Sequence, residues 1–263
     1  MPSPTPIKHI IRPSSLTMHP LDNVIWQALT TRQTHCAEIC GEARWFLRDI
    51  TLLSAFREPS DKGYDSLAEL AGPGGTAALF LNEPYRARPG WELLAGPPLL
   101  QMILENGSLP ASPTAAGSSA NSAAAHDANC AIVELGKNDS PEMVALAMLT
   151  KPGPFGPRTH ELGTYLGIRR EGKLVAMAGE RLKVPGHTEV SAVCTHPEHT
   201  GRGYAGILMT ELMRRVIARG ETPFLHTRED NTRAIALYQR LGFRTRLRSH
   251  LALLRRNQSG SGS

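Results

Sequence analysis

The sequence predicts an α/β (α+β) fold built on a mixed, mostly antiparallel sheet flanked by helices. From residue 130 the periodic segments run β-α-β-β-β-α-β-α-β, which is not the regular alternation of a parallel doubly wound sheet. Two apolar runs, 164–170 and 174–183, are separated only by Glu171-Gly172-Lys173, as in an antiparallel hairpin. Residues 188–220 read as a strand, a glycine-rich turn and a helix whose apolar stripe is Ala205, Leu208, Leu212 and Val216.

Residues 1–17 are rich in proline and serine, basic and free of acids, and are expected to be a disordered leader, with Met18 as an alternative initiator. The segment 18–106 offers helices around 24–39 and 64–71 and strands at 76–81, 91–94 and 99–104. Residues 107–129 are almost without charge or large apolar side chains, so they cannot bury enough surface to fold and read as a flexible linker. The segment 130–256 opens with a strand at 131–135. A helix follows from Asp139-Ser140-Pro141-Glu142, which supplies cap candidates and a proline in the first turn. After the hairpin come a strand at 189–195, the glycine turn, a helix at 204–219 and a strand at 223–227. A helix from Asn231 to Leu241 stops at Gly242, and a strand over 246–255 closes the segment. Residues 257–263 are expected to be a flexible tail.

At 263 residues, 41% hydrophobic, the chain can bury a proper core as one large or two small units. No apolar run approaches the roughly 20 residues of a membrane helix. The net charge of +5 suits an anionic ligand, but aromatics are only 5% and no basic block is interleaved with them, so nucleic acid is not an expected partner. Cys36, Cys40, Cys130 and Cys194 form no disulfide pattern and no secretory signal precedes them, which fits a reducing cytoplasm. Cys36 and Cys40 fit two small buried residues on one helix face better than metal ligands. His196 and His199 lack a third ligand, so no metal is expected.

The glycine turn carries the chemistry. Unpaired N–H groups at a helix start, together with the helix dipole, favour a pyrophosphate. Gly201 and Gly203 let the backbone approach it and take the positive φ of an anion nest. Gly201-Arg202-Gly203-Tyr204-Ala205-Gly206 also satisfies the bare dinucleotide pattern G-x-G-x-x-G. Yet only 57 residues remain after Gly206, and the next strand ends in Thr227 and Arg228, not in a ribose-binding carboxylate. A nicotinamide-dependent oxidoreductase is therefore disfavoured.

The run Val193-Cys194-Thr195-His196-Pro197-Glu198-His199-Thr200-Gly201-Arg202-Gly203-Tyr204-Ala205, followed thirty residues on by Asn231-Thr232-Arg233-Ala234-Ile235-Ala236-Leu237-Tyr238-Gln239-Arg240-Leu241-Gly242-Phe243, resembles the GNAT superfamily of acyl-CoA-dependent N-acetyltransferases. The opening His19-Pro20-Leu21-Asp22-Asn23-Val24-Ile25-Trp26 is similar to two-part bacterial members related to glycine N-acyltransferases. The resemblance implies a GNAT-like sheet, two tandem GNAT-like halves with 18–106 the degenerate one, and catalysis in 130–256. Acetyl-CoA is the implied co-substrate and a small amine or amino acid the implied acceptor. A monomer or a homodimer is compatible with that layout. The family pattern Gln/Arg-x-x-Gly-x-Gly/Ala falls on Thr200, Gly203 and Ala205. Threonine thus replaces a long polar side chain, with Arg202 available to offset the lost contact and the Thr200 hydroxyl available for capping.

By the same resemblance, the main-chain N–H groups of 201–206 hold the pyrophosphate, Asn231 bonds the pantetheine arm and Tyr238 protonates the departing thiolate. Asn231 and Tyr238 stand seven apart and so share a helix face. Asn231 equally fits an N-cap, and Tyr238 a core aromatic. Glu189, fourteen residues before Gly203, has the spacing of the general-base glutamate of GNAT histone acetyltransferases. An exposed strand glutamate in a minor ion pair is the other reading, and Glu180 or a water is the reserve base. Cys194 is expected to be a buried strand residue whose N–H polarises the thioester carbonyl rather than an acyl-carrying nucleophile, which favours direct transfer in a ternary complex. The proline-rich loop 151–158 is expected to line the acceptor cleft through Phe155, with Arg158 pairing a substrate carboxylate. A plain surface turn and, for the whole chain, a non-catalytic acyl-CoA sensor or scaffold are the competing readings.

Overall fold

The computed structural model describes residues 19–105 and 131–258. The expected leader, the linker, Cys130 and all but the first two residues of the tail lie outside them. Asn257 is not tail: its N–H bonds the carbonyl of Gly90.

Five helices and twelve strands make up the described residues. Helix α1 (Val24–Thr30) leads to a short hairpin sheet of β1 (Ala37–Cys40), β2 (Ala43–Phe46) and β3 (Ser54–Phe56). Next come α2 (Asp61–Ala71), β4 (Thr76–Leu81), β5 (Trp91–Ala95) and β6 (Pro98–Leu104), and then β7 (Ile132–Leu135) and α3 (Ser140–Thr150). The chain continues through β8 (Tyr165–Arg170), β9 (Lys173–Val184), β10 (His187–Thr195), α4 (Tyr204–Ala218), β11 (Thr222–Arg228), α5 (Thr232–Arg240) and β12 (Phe243–Arg256). The main sheet runs β4-β12-β6-β11-β10-β9-β8-β7, with β5 beside β12. Its pairs are antiparallel except β10 with β11. The mixed, mostly antiparallel sheet flanked by helices is as expected.

Local chemistry explains most boundaries. The Ser60 hydroxyl accepts the Gly63 N–H to start α2, and Gly72 at φ 65° ends it. Nearly every residue of β9 is buried, which marks a strand covered on both faces. The apolar stripe of α4 packs Leu208, Leu212 and Val216 into the fold, and Leu208 and Leu212 share one core with Tyr238 and Phe243.

The helix expected over 24–39 stops at Thr30. The Thr30 and Thr31 hydroxyls bond back to the carbonyls of Trp26 and Gln27. Gln33 then gives its amide to β9, donating to the Arg181 carbonyl (2.8 Å) and accepting from the Lys183 N–H (3.0 Å). That pull turns the chain out of the helix. Cys36 therefore sits buried in a 3₁₀ turn and Cys40 half-buried at the end of β1, not together on one helix face.

Two features position the site. Strands β10 and β11 pair only through His187–Glu189 and Thr222–Phe224. Beyond these residues β10 stays with β9 while β11 follows β6, and a gap opens between them. Strand β10 is also irregular on either side of Ser191, with Ala192 at φ 52°. Helix α4 begins beyond the end of β10 and α5 beyond the end of β11, so both N-termini stand at the open end.

Candidate active site

Gly203 caps α4 in the left-handed conformation at φ 80°, as does Gly201 two residues earlier. Only glycine takes that pair without strain. No side chain caps the helix, so the first N–H groups of this 15-residue helix are left for a ligand. The Tyr204 ring is 1% exposed and its hydroxyl accepts from Arg170 Nε at 2.9 Å. Tyr204 thus offers the site its backbone, while its ring anchors the helix start. Gly206 faces Leu237 of α5, and a Cβ there would sit at an ordinary contact distance of 3.8 Å, so this helix approach does not require glycine. Arg202 is exposed. Thr200 does not cap α4 as expected: its hydroxyl donates to the Pro197 carbonyl (3.0 Å) and closes the preceding turn.

Along the gap, the His196 N–H bonds Val175 of β9 at 2.8 Å, and Cys194 stands opposite Met177. N–H direction alternates along a strand, so the Cys194 N–H also faces β9 and the Thr195 N–H faces the gap. The Cys194 N–H is thus turned away from the gap, contrary to the expected oxyanion contact. Burial pushes the Cys194 thiol up to about 11, against the lowering effect of hydrogen bonds to Thr150 and Met177. It is a neutral side chain at ordinary pH, a poor nucleophile. Across the gap Asn231 caps α5, its Oδ1 accepting the Ala234 N–H at 3.2 Å and its Nδ2 left over. The Tyr238 ring packs edge-on to Phe243, with centroids 6.3 Å apart. Burial, and secondarily the nearby Cys194, push its phenol up to about 12, so it keeps its proton.

On the opposite face of the sheet Pro152, Pro154, Phe155, Tyr165, Arg181 and Ala192, among others, close around a crevice too tight to admit a water. The 151–158 loop supplies Pro152, Gly153, Pro154 and Phe155 to that lining. Arg158 is not part of it. Its guanidinium is bound to Glu161 (2.8 and 2.6 Å) and Asp49 (2.9 Å), which fastens the loop to the N-terminal segment and fills the arginine's capacity for carboxylates.

Glu189 is not an exposed strand glutamate, and both of its carboxylate oxygens are already paired. It is 0% exposed and gripped by Arg181 through Nε (2.8 Å) and Nη2 (2.7 Å). Burial would raise its carboxyl, but the Arg181 charge and hydrogen bonds, with His226, outweigh that and hold it at about 2. Glu180 is equally committed, to Arg219 (2.7 Å), Lys183 (3.0 Å) and the Thr164 N–H (3.3 Å).

His226 on β11 bridges the narrow end of the gap. Arg246 donates to Gln101 Oε1 (2.8 Å), so the Gln101 amide NH₂ faces Leu21 O (2.9 Å) and His226 Nε2 (3.1 Å). His226 is thereby placed to accept at Nε2 and to donate from Nδ1 to Glu189 at 2.7 Å. Arg181, Tyr165 and His226 were not among the expected site residues. The signal in the sequence was a charged pair, Glu180-Arg181, inside a strand otherwise buried on both faces.

Among the described residues no group of three or more His, Cys, Asp or Glu could hold a metal, and no helix is long and apolar enough to cross a membrane.

Residues 165–251 match the family described as FR47-like protein. A solved acetyltransferase structure from Novosphingobium aromaticivorans, assigned in its description to the GNAT family, is 35% identical. The match covers 92% of this chain and 100% of that one, with a TM-score of 0.74. This chain belongs to the GNAT family of acetyltransferases. The N-alpha-acetyltransferase RimI of Mycobacterium tuberculosis is 40% identical over 82 residues, which is 30% of this chain and 51% of that protein. The chain thus spans about half the length of this curated relative. A GCN5-related N-acetyltransferase from Kribbella flavida, 18% identical with a TM-score of 0.52 and covering 88% of this chain and 93% of that one, shares the fold.

Proposed function

We propose that the chain is an acetyl-CoA-dependent N-acetyltransferase that moves the acyl group to a primary amine by direct transfer in a ternary complex. The observation that carries this is the gap between β10 and β11, with an uncapped helix N-terminus at its mouth and a protonated phenol beside it. The N–H groups of 201–206, aided by Arg202, hold the pyrophosphate. Asn231 Nδ2 and the gap-facing edge of Val193–Thr195 hold the pantetheine arm and polarise the thioester carbonyl. The amine nitrogen attacks that carbonyl, the C–S bond breaks, and the Tyr238 hydroxyl hydrogen-bonds and protonates the departing thiolate. The neutral, buried Cys194 supports transfer without an acyl-enzyme.

With Glu189 and Glu180 both committed, the acceptor passes its proton to water. In this reading the acceptor is a small-molecule amine, neither a membrane nor a nucleic acid is a partner, and the chain acts in the cytoplasm as a monomer or homodimer. The segment before the linker shapes the acceptor side, as a degenerate copy of the catalytic half.

The test is thiol release from acetyl-CoA with amino acids, polyamines and short peptides, wild type beside Tyr238→Phe. Release that needs an amine and falls on the order of 10²–10⁴-fold in the variant is expected. Stabilisation by acetyl-CoA with no release from any acceptor would point instead to a sensor.

A further inference from the structure

The geometry points to a second small-molecule site, in the segment before the linker, that takes a planar heteroaromatic molecule with a ring N–H, no net charge and no phosphate. Strands β3 and β4 meet through the single parallel bridge Leu53–Ala78. Beyond it β3 stays with β2 and β4 with β12. A cleft of about 630 Å³ opens there, lined by residues 54–56 of β3 and 79–81 of β4 together with the start of α1 and the 82–88 loop. That volume falls within the roughly 300–1,000 Å³ of ordinary small-molecule sites.

Five rings line the cleft: Trp26, Phe56, Tyr64, Phe80 and Tyr85. They are braced by one another and by their neighbours. Phe56 and Tyr64 pack with centroids 4.8 Å apart, and Tyr64 and Tyr85 at 6.3 Å. The Arg88 guanidinium lies 4.2 Å over Tyr64, fixed there by Asp61 and the Pro59 carbonyl. Phe80 leans on the His226 ring at 4.6 Å. Rings held in this way present flat apolar faces that need no further ordering, and flat faces select a flat ligand.

Asn23 selects the N–H. Its Nδ2 donates to the carbonyls of Phe56 (2.9 Å) and Arg57 (3.2 Å), while its Oδ1 accepts from no described residue. A ring N–H is the donor that matches this oxygen. Charge sets the rest. Three acids (Asp22, Glu58 and Glu83) and three arginines (Arg57, Arg86 and Arg88) line the cleft. An ion of either sign therefore meets both signs in the wall and gains no net attraction. The helix start beside the cleft disfavours a phosphate. Ser60 Oγ accepts the Gly63 N–H (3.1 Å), and Asp61 already supplies the negative charge that a helix N-terminus favours. The ligand is thus unlike acetyl-CoA, and the two bind independently.

Calorimetric titration of indole into the full chain tests this, with 1-methylindole and indole-3-acetate as ring analogues and melting temperatures as the folding control. One indole per chain is expected, bound about fivefold more tightly than either analogue, as the loss of one hydrogen bond implies. Saturating acetyl-CoA is expected to leave its affinity unchanged. Trp26→Ala and Tyr85→Ala are each expected to weaken it about tenfold through lost ring contact. No binding by the wild type, a preference for either analogue, displacement by acetyl-CoA, or unchanged affinity in both folded variants would overturn the inference.

Discussion

Arg181 and Glu189 form the most consequential pair in the molecule, because each would be a costly buried charge without the other. Glu189→Gln leaves Arg181 buried and unpaired, and is expected to lower the unfolding free energy by about 3–5 kcal/mol, read by urea titration. An unchanged midpoint would contradict the pairing. The same contact sets an acid limit. The Glu189 carboxyl is held at about 2 against 4.5 in an unfolded chain. Its contribution is therefore complete above pH 4.5 and is lost as pH falls from there toward 2. Stability measured across that window is expected to drop less in Glu189→Gln than in wild type. Cys194→Ala should keep kcat within a few fold, since a thiol near 11 carries no acyl group at neutral pH; loss of all turnover would argue for a covalent route. At this scale the positive φ of Gly201 and Gly203 and the Asn231 cap were legible because they follow from local spacing. Arg181, Tyr165 and His226 were not, since their partners stand on other strands and only the folded register brings them together.

Among the elements, α5 joins stability to binding through one residue. Asn231→Ala is expected to cost about 1 kcal/mol through the lost cap and to raise KM for acetyl-CoA with little change in kcat. A fall in kcat alone would contradict that division. Elements with strong local signals were legible: the hairpin of β8 and β9, the amphipathic α4, and α5 with its cap and its Gly242 stop at φ 90°. The short strands β2 and β3 were not, having four and three residues with too little alternation to register. The overlong first helix failed for a tertiary reason, the capture of the Gln33 amide by β9.

For the molecule as a whole, the main sheet does not respect the boundary that composition suggests. Strand β6, which precedes the 107–129 segment, lies between β11 and β12, which follow it. A protease site introduced into 107–129 is expected to yield two fragments that elute together until denaturant is added; separation in native buffer would contradict the shared sheet. The two segments also repeat one layout. In each, two antiparallel strands lead to a third, then a helix, then a strand that starts parallel to the third. The single bridge Leu53–Ala78 stands where the pairing of β10 and β11 stands in the other. Helix α2 differs from α4 at its start, where Ser60 caps the Gly63 N–H and Asp61 follows in place of a glycine nest. The most direct test of the account is a calorimetric titration of acetyl-CoA into wild type and Gly203→Val, with melting temperatures as the folding control. One site per chain is expected, with affinity at least tenfold weaker in the folded variant. Equal affinity in both proteins, or no binding by the wild type, would contradict it.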